Sequence, residues 1–452
     1  DARTPPQGDF MNARWIRVAS ILALCCVLGA ARAGAATLTY KVPTGYFFND
    51  PGAWDLGYVP GPTDTVRYTN APGGFYITYF PTASYTVDKV EIKTFSGIGR
   101  SRFYSNPQFG ASLLITNRID IYTDGTTSGD AAGMTWEYIK QLDVTNGAGT
   151  AVVEVGNRAR LQVFGGYDFV NWGTARVDRL ISTNVESLIS YHGGELQTKR
   201  GVDIRQQSGN FSIGDTWRAR WLIQGGTNTI TLPSNAYLYL GAIAAASNSL
   251  FEISGAGTVY SNPVGNTTVG LNAYDARMVV WDGARVYLSD AAGFLRVGNS
   301  RRGRLEVTGS NTLLQLRNGI ELASGLAGTN SYFEVSGGAA VVATAVDVGD
   351  FGLGVWGSES TTLVTGAGTW LSGSNMNIQL GQTTLAKGTR LIVSSGAVAV
   401  AKNLLVSWAA GASNNHAQVE HGGVLRVNAL YTRSGAYGTT FYMLTGFHGF
   451  HV

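Results

Sequence analysis

Cysteine is nearly missing from this chain. Of 452 residues only Cys25 and Cys26 carry a thiol, and both lie near the start. Everything after residue 26 must hold together without disulfides, by burial and backbone pairing, and more than 400 residues are ample for that. Charge is also scarce, at 14% of residues. Without residues 1–33 the balance is +1, so nothing draws the protein to nucleic acid or to an anionic membrane surface. Helix formers are too few for a coiled coil or a helix-rich protein. Beyond residue 30 the longest apolar run, 339–346, is broken by Thr344 and falls far short of a membrane span. The apolar content of 44% excludes a disordered chain.

Glycine, by contrast, is abundant. There are 60, about twice the usual share, with no three-residue period, which excludes collagen. Together with plentiful Val, Thr, Tyr and Asn they indicate many short strands joined by tight turns.

Residues 1–10 precede the first plausible start and read as an upstream extension. Residues 11–35 read as a cleaved secretory signal. Arg14 and Arg17 form its basic end, 18–30 its apolar core, and Ala31-Arg32-Ala33 or Ala33-Gly34-Ala35 its cleavage site. The core is too short to span a bilayer. A lipoprotein anchor on Cys25 is disfavoured by Leu24 before it. The protein is therefore expected outside the cell or on its outer surface.

The chain repeats itself. A strand ends in a β-branched residue, a polar or aromatic residue follows, then Gly, then a second strand. Ile253-Ser254-Gly255, Val307-Thr308-Gly309, Val335-Ser336-Gly337 and Val364-Thr365-Gly366 show the pattern. Val280-Trp281-Asp282-Gly283, Val393-Ser394-Ser395-Gly396 and Val419-Glu420-His421-Gly422 are variants. These seven glycines are spaced by 28, 26, 28, 29, 30 and 26 residues, and Gly165, Gly193 and Gly225 extend the series upstream. A second landmark follows about fifteen residues later, at Gly214, Gly241, Gly270, Gly298, Gly349 and Gly381. Within the strands apolar and polar residues alternate, as in Leu305-Glu306-Val307, so one face is buried and one wet. Glycine suits such corners because it reaches positive φ without cost.

A three-strand unit of about 28 residues cannot bury its own inward row, but stacked on a copy of itself it can. The fold expected is all-β: a right-handed parallel β-helix of about eleven units over 142–430, on the order of 50 Å long. A propeller or sandwich array is the alternative, but blades need 40 or more residues and a recurring signature. Residues 36–141 hold 19 aromatics and seven prolines, and are expected to form an aromatic-rich N-terminal capping region with the first rungs. Whether 131–142 is helix or strand stays open. Residues 431–452 form a tail without an evident cap.

Trp54, Gly57, Pro60 and Asp64 spell W-x-x-G-x-x-P-x-x-x-D. This motif and the repeats from 250 to 430 resemble exported bacterial β-helix surface proteins with autotransporter-associated β-strand repeats. The resemblance implies a non-enzymatic adhesin, stalk or extracellular scaffold. Neither a translocator barrel nor a sorting signal with a closing membrane helix is seen in this sequence.

Solenoids also include polysaccharide lyases and hydrolases, the alternative function. The polygalacturonase-type set of Asn-Thr-Asp, Asp-Asp, Gly-His-Gly and Arg-Ile-Lys is missing. Asp347 and Asp350 beside Gly349 read as turn caps, and Glu306 and Glu334 as a solvated ladder. His192, His416 and His421 are scattered, and Arg301, Arg302 and Arg304 form a basic loop. No catalytic residue, metal or cofactor is expected. The one speculative glycan contact is Trp217 and Trp221 in Trp-Arg-Ala-Arg-Trp, where alternation would align both rings. Ile223 continues their row, which favours core. Partners expected are a cell-surface or matrix polysaccharide and head-to-tail copies of the chain.

Overall fold

A computed structural model describes residues 35–432 except 42–45, 70–74, 81–82, 95–98, 106–111, 124–131, 138–140, 149, 156–159, 165–173, 183–187, 207–208, 264, 289–293 and 345–349. The upstream extension, the signal up to residue 34 and the tail from 433 therefore lie outside the described residues, as does Gly349.

The inward positions of each strand are β-branched or bulky apolar, and the outward ones polar. That pattern lets a strand lie on a copy of itself. Every strand pairing is parallel, and the strands join one sheet that wraps into three faces, a β-solenoid. On the first face ten successive pairings join eleven strands, from Gln141–Val144 to His416–Val419. The second face starts at Thr37–Thr39 and the third at Tyr46–Phe47, and both end within Val424–Thr432. Ala132–Glu137 and Gln141–Val144 are strands, which answers the open question over 131–142.

Register makes the core continuous. On the first face Ile223, Ile253, Val280, Val307, Val335, Val364 and Val393 stand directly over one another. Each is fully buried. Beside them run Trp221, Phe251, Met278, Leu305, Phe333, Thr362 and Leu391. One apolar cluster extends from Leu38 to Leu425. No single coil could exclude water from such side chains; stacking at about 4.8 Å does it for all of them.

The first corner, between the first and second faces, contains all seven anchor glycines in the left-handed region, with φ from +64° to +98°. The structure sorts them in a way the sequence pattern did not. Short turns such as Asp282-Gly283 and Gly337-Gly338 have two consecutive positive-φ residues. They alternate with longer turns such as Gly255 to Thr258 and Gly366 to Thr369. The residue closing the corner alternates accordingly: Thr258, Ala284, Thr312, Ala339, Thr369, Ala397, all buried. Each threonine reaches the preceding coil. The N–H groups of Gly225, Gly283 and Gly338 donate to Thr258, Thr312 and Thr369 at 2.6, 3.0 and 2.9 Å. From Gly255 to Gly396 the structural repeat is thus two coils, and His421-Gly422 breaks it with a second short turn in succession.

At the N-terminal end Tyr40, Phe48, Trp54, Tyr68 and Tyr85 pack ring against ring, with centroids 4.9–6.2 Å apart. The W-x-x-G-x-x-P-x-x-x-D residues build this plug. Trp54 is fully buried and its Nε1–H donates to the Phe48 carbonyl at 3.0 Å. Gly57 turns the chain at φ +69°. Asp64, 7% exposed, accepts the backbone N–H groups of Ala36 (3.1 Å) and Gly61 (2.9 Å). Asp64→Ala leaves both donors without this carboxylate. A loss of about 3 kcal/mol is expected, since bonds to a charged acceptor contribute about 1.5–3 kcal/mol each. Urea unfolding of the two proteins measures it.

Candidate functional site

The residues that look reactive are mostly partnered. Glu306 and Glu334 are register neighbours on the outer side of the first face. Glu306 is bound by Arg277, and Arg304 lies 3.6 Å away. Glu334 accepts the Tyr332 hydroxyl at 2.9 Å. Burial, followed by the Glu334 bond, pushes Tyr332 up to about 12, so it stays a donor across the ordinary pH range. The three arginines are separately engaged. Arg302 pairs with Asp275 at 2.6 Å, Arg301 covers the Tyr274 ring at 4.7 Å, and Arg304 covers Tyr332 at 5.2 Å. His192 meets Asp215 at 2.5 Å, bridging two coils. His416 and His421 lie apart from it, and among the described residues no three potential ligands come together for a metal. Asp350 begins a strand and accepts from Asn377 at 3.0 Å. A crevice of about 10 Å³ beside Leu295 and Asn318 has room for about one water.

On the N-terminal part of the second face the charges form a closed ladder. Arg67–Glu91, Glu91–Lys89, Lys89–Asp120 and Asp120–Arg118 lie at 2.7, 2.7, 2.8 and 2.6 Å, and Arg118 continues to Glu154. Burial raises the Glu91 carboxyl, but hydrogen bonds and charge from Lys89 and Arg67 outweigh it, and its pKa is lowered overall. A lowered folded-state value means the ladder stabilises the fold above the ordinary carboxylate pKa of 4.5 and is lost as pH falls below it. The thermal midpoint should therefore drop between about pH 5 and pH 3. Glu91→Gln should start lower at pH 7 and drop less.

The tryptophan pair does not form a platform. Trp221 lies on the strand Ala219–Gln224 and points inward, fully buried among Tyr191, Phe211 and Phe251 at 6.1, 5.8 and 5.7 Å. Ile223 follows it into the core. Trp217 precedes the strand, in a corner loop, and is half-buried. The alternation that would align the two rings does not extend to it, because 214–218 is not a strand.

That corner loop leads to the surface that stands out. From Gly214 onward the third corner, between the third and first faces, opens with a left-handed residue in each coil: Gly214, Gly241, Gly270, Gly298, Ala323, Gly354, Gly381 and Ser407. The second landmark is therefore Gly354, after the strand Asp350–Leu353, and not Gly349. A buried small or polar residue of the next coil fills the space against several of these positions. A Cβ on Gly298, Gly354 or Gly381 would lie 1.8–2.1 Å from Ser331, Thr389 or Asn415. The loops that follow stack by backbone bonds, such as Asn299 N–H to Gly270 O (3.1 Å), Trp356 N–H to Ala323 O (2.9 Å) and Gln382 N–H to Gly354 O (3.3 Å). Their tips carry Ile243, Tyr274, Arg301, Leu326, Trp356, Leu385 and Trp408, one per coil. The six apolar members are 40–63% exposed. Seven coils at about 4.8 Å make a row about 30 Å long. Exposed apolar side chains that recur on the same corner of successive coils mark an interaction site more than scattered single residues do. Its members stand one to four residues beyond the corner residue, so no fixed spacing betrays them in the sequence.

No protein-family model, curated protein or solved structure matches this chain.

Proposed function

We propose that this is an exported, non-enzymatic β-solenoid that serves as a stalk, adhesin or scaffold on the outer surface of a bacterial cell. The observation that carries it is the division of the surface. The outward charges are largely paired into ladders along the faces, while one corner presents a large apolar side chain in six of seven successive coils. A rod of this kind holds a contact surface at a fixed distance and orientation, which is what a stalk or adhesin requires. The signal-like residues 11–35 support export. The motif from Trp54 to Asp64 and the repeats support kinship with bacterial surface proteins bearing autotransporter-associated β-strand repeats. A cell-surface or matrix polysaccharide is the ligand class proposed for the adhesin role. Binding of the labelled full chain to whole cells and to a glycan array tests it, alongside an assay for new reducing ends on neutral and uronate polysaccharides. Retention on cells without new reducing ends is expected. Release of reducing ends would overturn the non-enzymatic reading in favour of a lyase or hydrolase.

A further inference from the structure

The row on the third corner has a composition that selects its occupant. Half of its apolar members, Ile243, Leu326 and Leu385, are aliphatic and offer a sugar neither a flat ring nor a hydrogen bond. The Tyr274 ring is already covered by Arg301 at 4.7 Å. A protein surface suits such a row better than a glycan. The exposed apolar area is on the order of 600 Å². With the flanking loops it approaches the ~800 Å² per partner of a standard interface.

The row is also complementary to itself. Leu326 is fourth of seven. Turned about an axis through Leu326, Ile243 faces Trp408 of a second copy and Tyr274 faces Leu385, small against large. Arg301, held over the Tyr274 ring of its own chain, faces Trp356. The flanking charges match in the same alignment. The loops 241–249, 323–331 and 407–415 carry no charged residue. Arg301 comes opposite exposed Glu359, and exposed Lys387 comes opposite the Asp275–Arg302 pair, on its acidic side. Were the rods parallel and in register, Arg301 would face Arg301 and Lys387 would face Lys387, which is repulsive.

We propose that this corner is the seam of an antiparallel, two-fold symmetric homodimer whose axis passes through Leu326. It pairs rods side by side, unlike end-to-end stacking.

Sedimentation of the full chain at micromolar concentration, with Cys25→Ser and Cys26→Ser, reads the oligomeric state. A concentration-dependent dimer is expected. Leu326→Asp places two like charges on the axis and should weaken the dimer at least about tenfold with unchanged circular dichroism. Glu359→Arg should weaken it too, and adding Arg301→Glu and Arg302→Glu should restore it. In the same background Leu326→Cys should oxidise to a disulfide dimer far faster than Gly422→Cys, which is exposed on another corner. Three results would overturn the proposal: a monomer at all concentrations, whether or not the row retains a glycan; equal oxidation of the two cysteines; or faster self-linking of Trp356→Cys than of Leu326→Cys. None of these would bear on the scaffold role, which a single rod can fill.

Discussion

Gly354→Val should destabilise the solenoid by about 2–5 kcal/mol, the sum of two independent penalties. The first is backbone strain: Gly354 sits at φ +81°, a region that disfavours any side chain and a β-branched one most. The second is steric. A Cβ there would lie 2.1 Å from Thr389 Oγ1, and Thr389 is itself fully buried in the next coil. Overpacking of that kind adds about 1–3 kcal/mol. The control is Gly257→Val at φ +87°, where a Cβ would meet nothing within 4 Å. It should show the strain alone, about 1–2 kcal/mol. Urea midpoints of the three proteins separate the terms. Equal losses would mean that the next coil does not close over Gly354.

Trp221→Ala is expected to cost about 3–5 kcal/mol, as large-to-small changes in a core do. Trp221 is fully buried, three rings surround it, and its Nε1–H donates to Thr198 at 3.3 Å. The cavity would span the register column Leu196, Trp221 and Phe251, so three coils lose contacts at once. In a solenoid such damage stays local. Amide exchange should accelerate most on Gly194–Arg205 and Leu250–Ser254 and little beyond Leu305. Trp217→Ala, at a half-buried loop position, should cost much less. A mild effect at Trp221 and a severe one at Trp217 would reverse this placement of the two rings.

These two residues also show what the sequence could and could not reveal. Alternation is a property of strands, and it placed Trp221 and Ile223 on one face correctly. It failed at Trp217 because the strand begins at Ala219. The first-corner glycines from Gly225 to Gly422 were legible because one turn needs positive φ at the same place in each of those coils, and their spacing of 26 to 30 residues is the circumference itself, whereas Gly193 lies on the third corner. The alternation of short and long turns was hidden, because glycine serves both shapes. It can be seen in hindsight in the buried partners, Thr258 and Thr312 against Ala284 and Ala339. On the third corner Ala323 and Ser407 take the left-handed conformation that glycine takes elsewhere, so a search for glycine loses the series there. The exposed row was illegible for a related reason. Its members share a corner but not an offset: Tyr274 lies beside Ser247 and Asn248, while Ile243 stands at the other end of that loop.

The claim on which all of this depends is that successive coils lie in register, one above another. Distances between spin labels at Ala256, Ala367 and Gly422, all exposed first-corner positions, measure it most directly. Ala256 and Ala367 are four coils apart and should be separated by about 19 Å, and Ala256 and Gly422, six coils apart, by about 29 Å. Such proportionality to coil number is the predicted result. Distances that do not grow with coil number, or that match those of a closed array of separate blades, would contradict it.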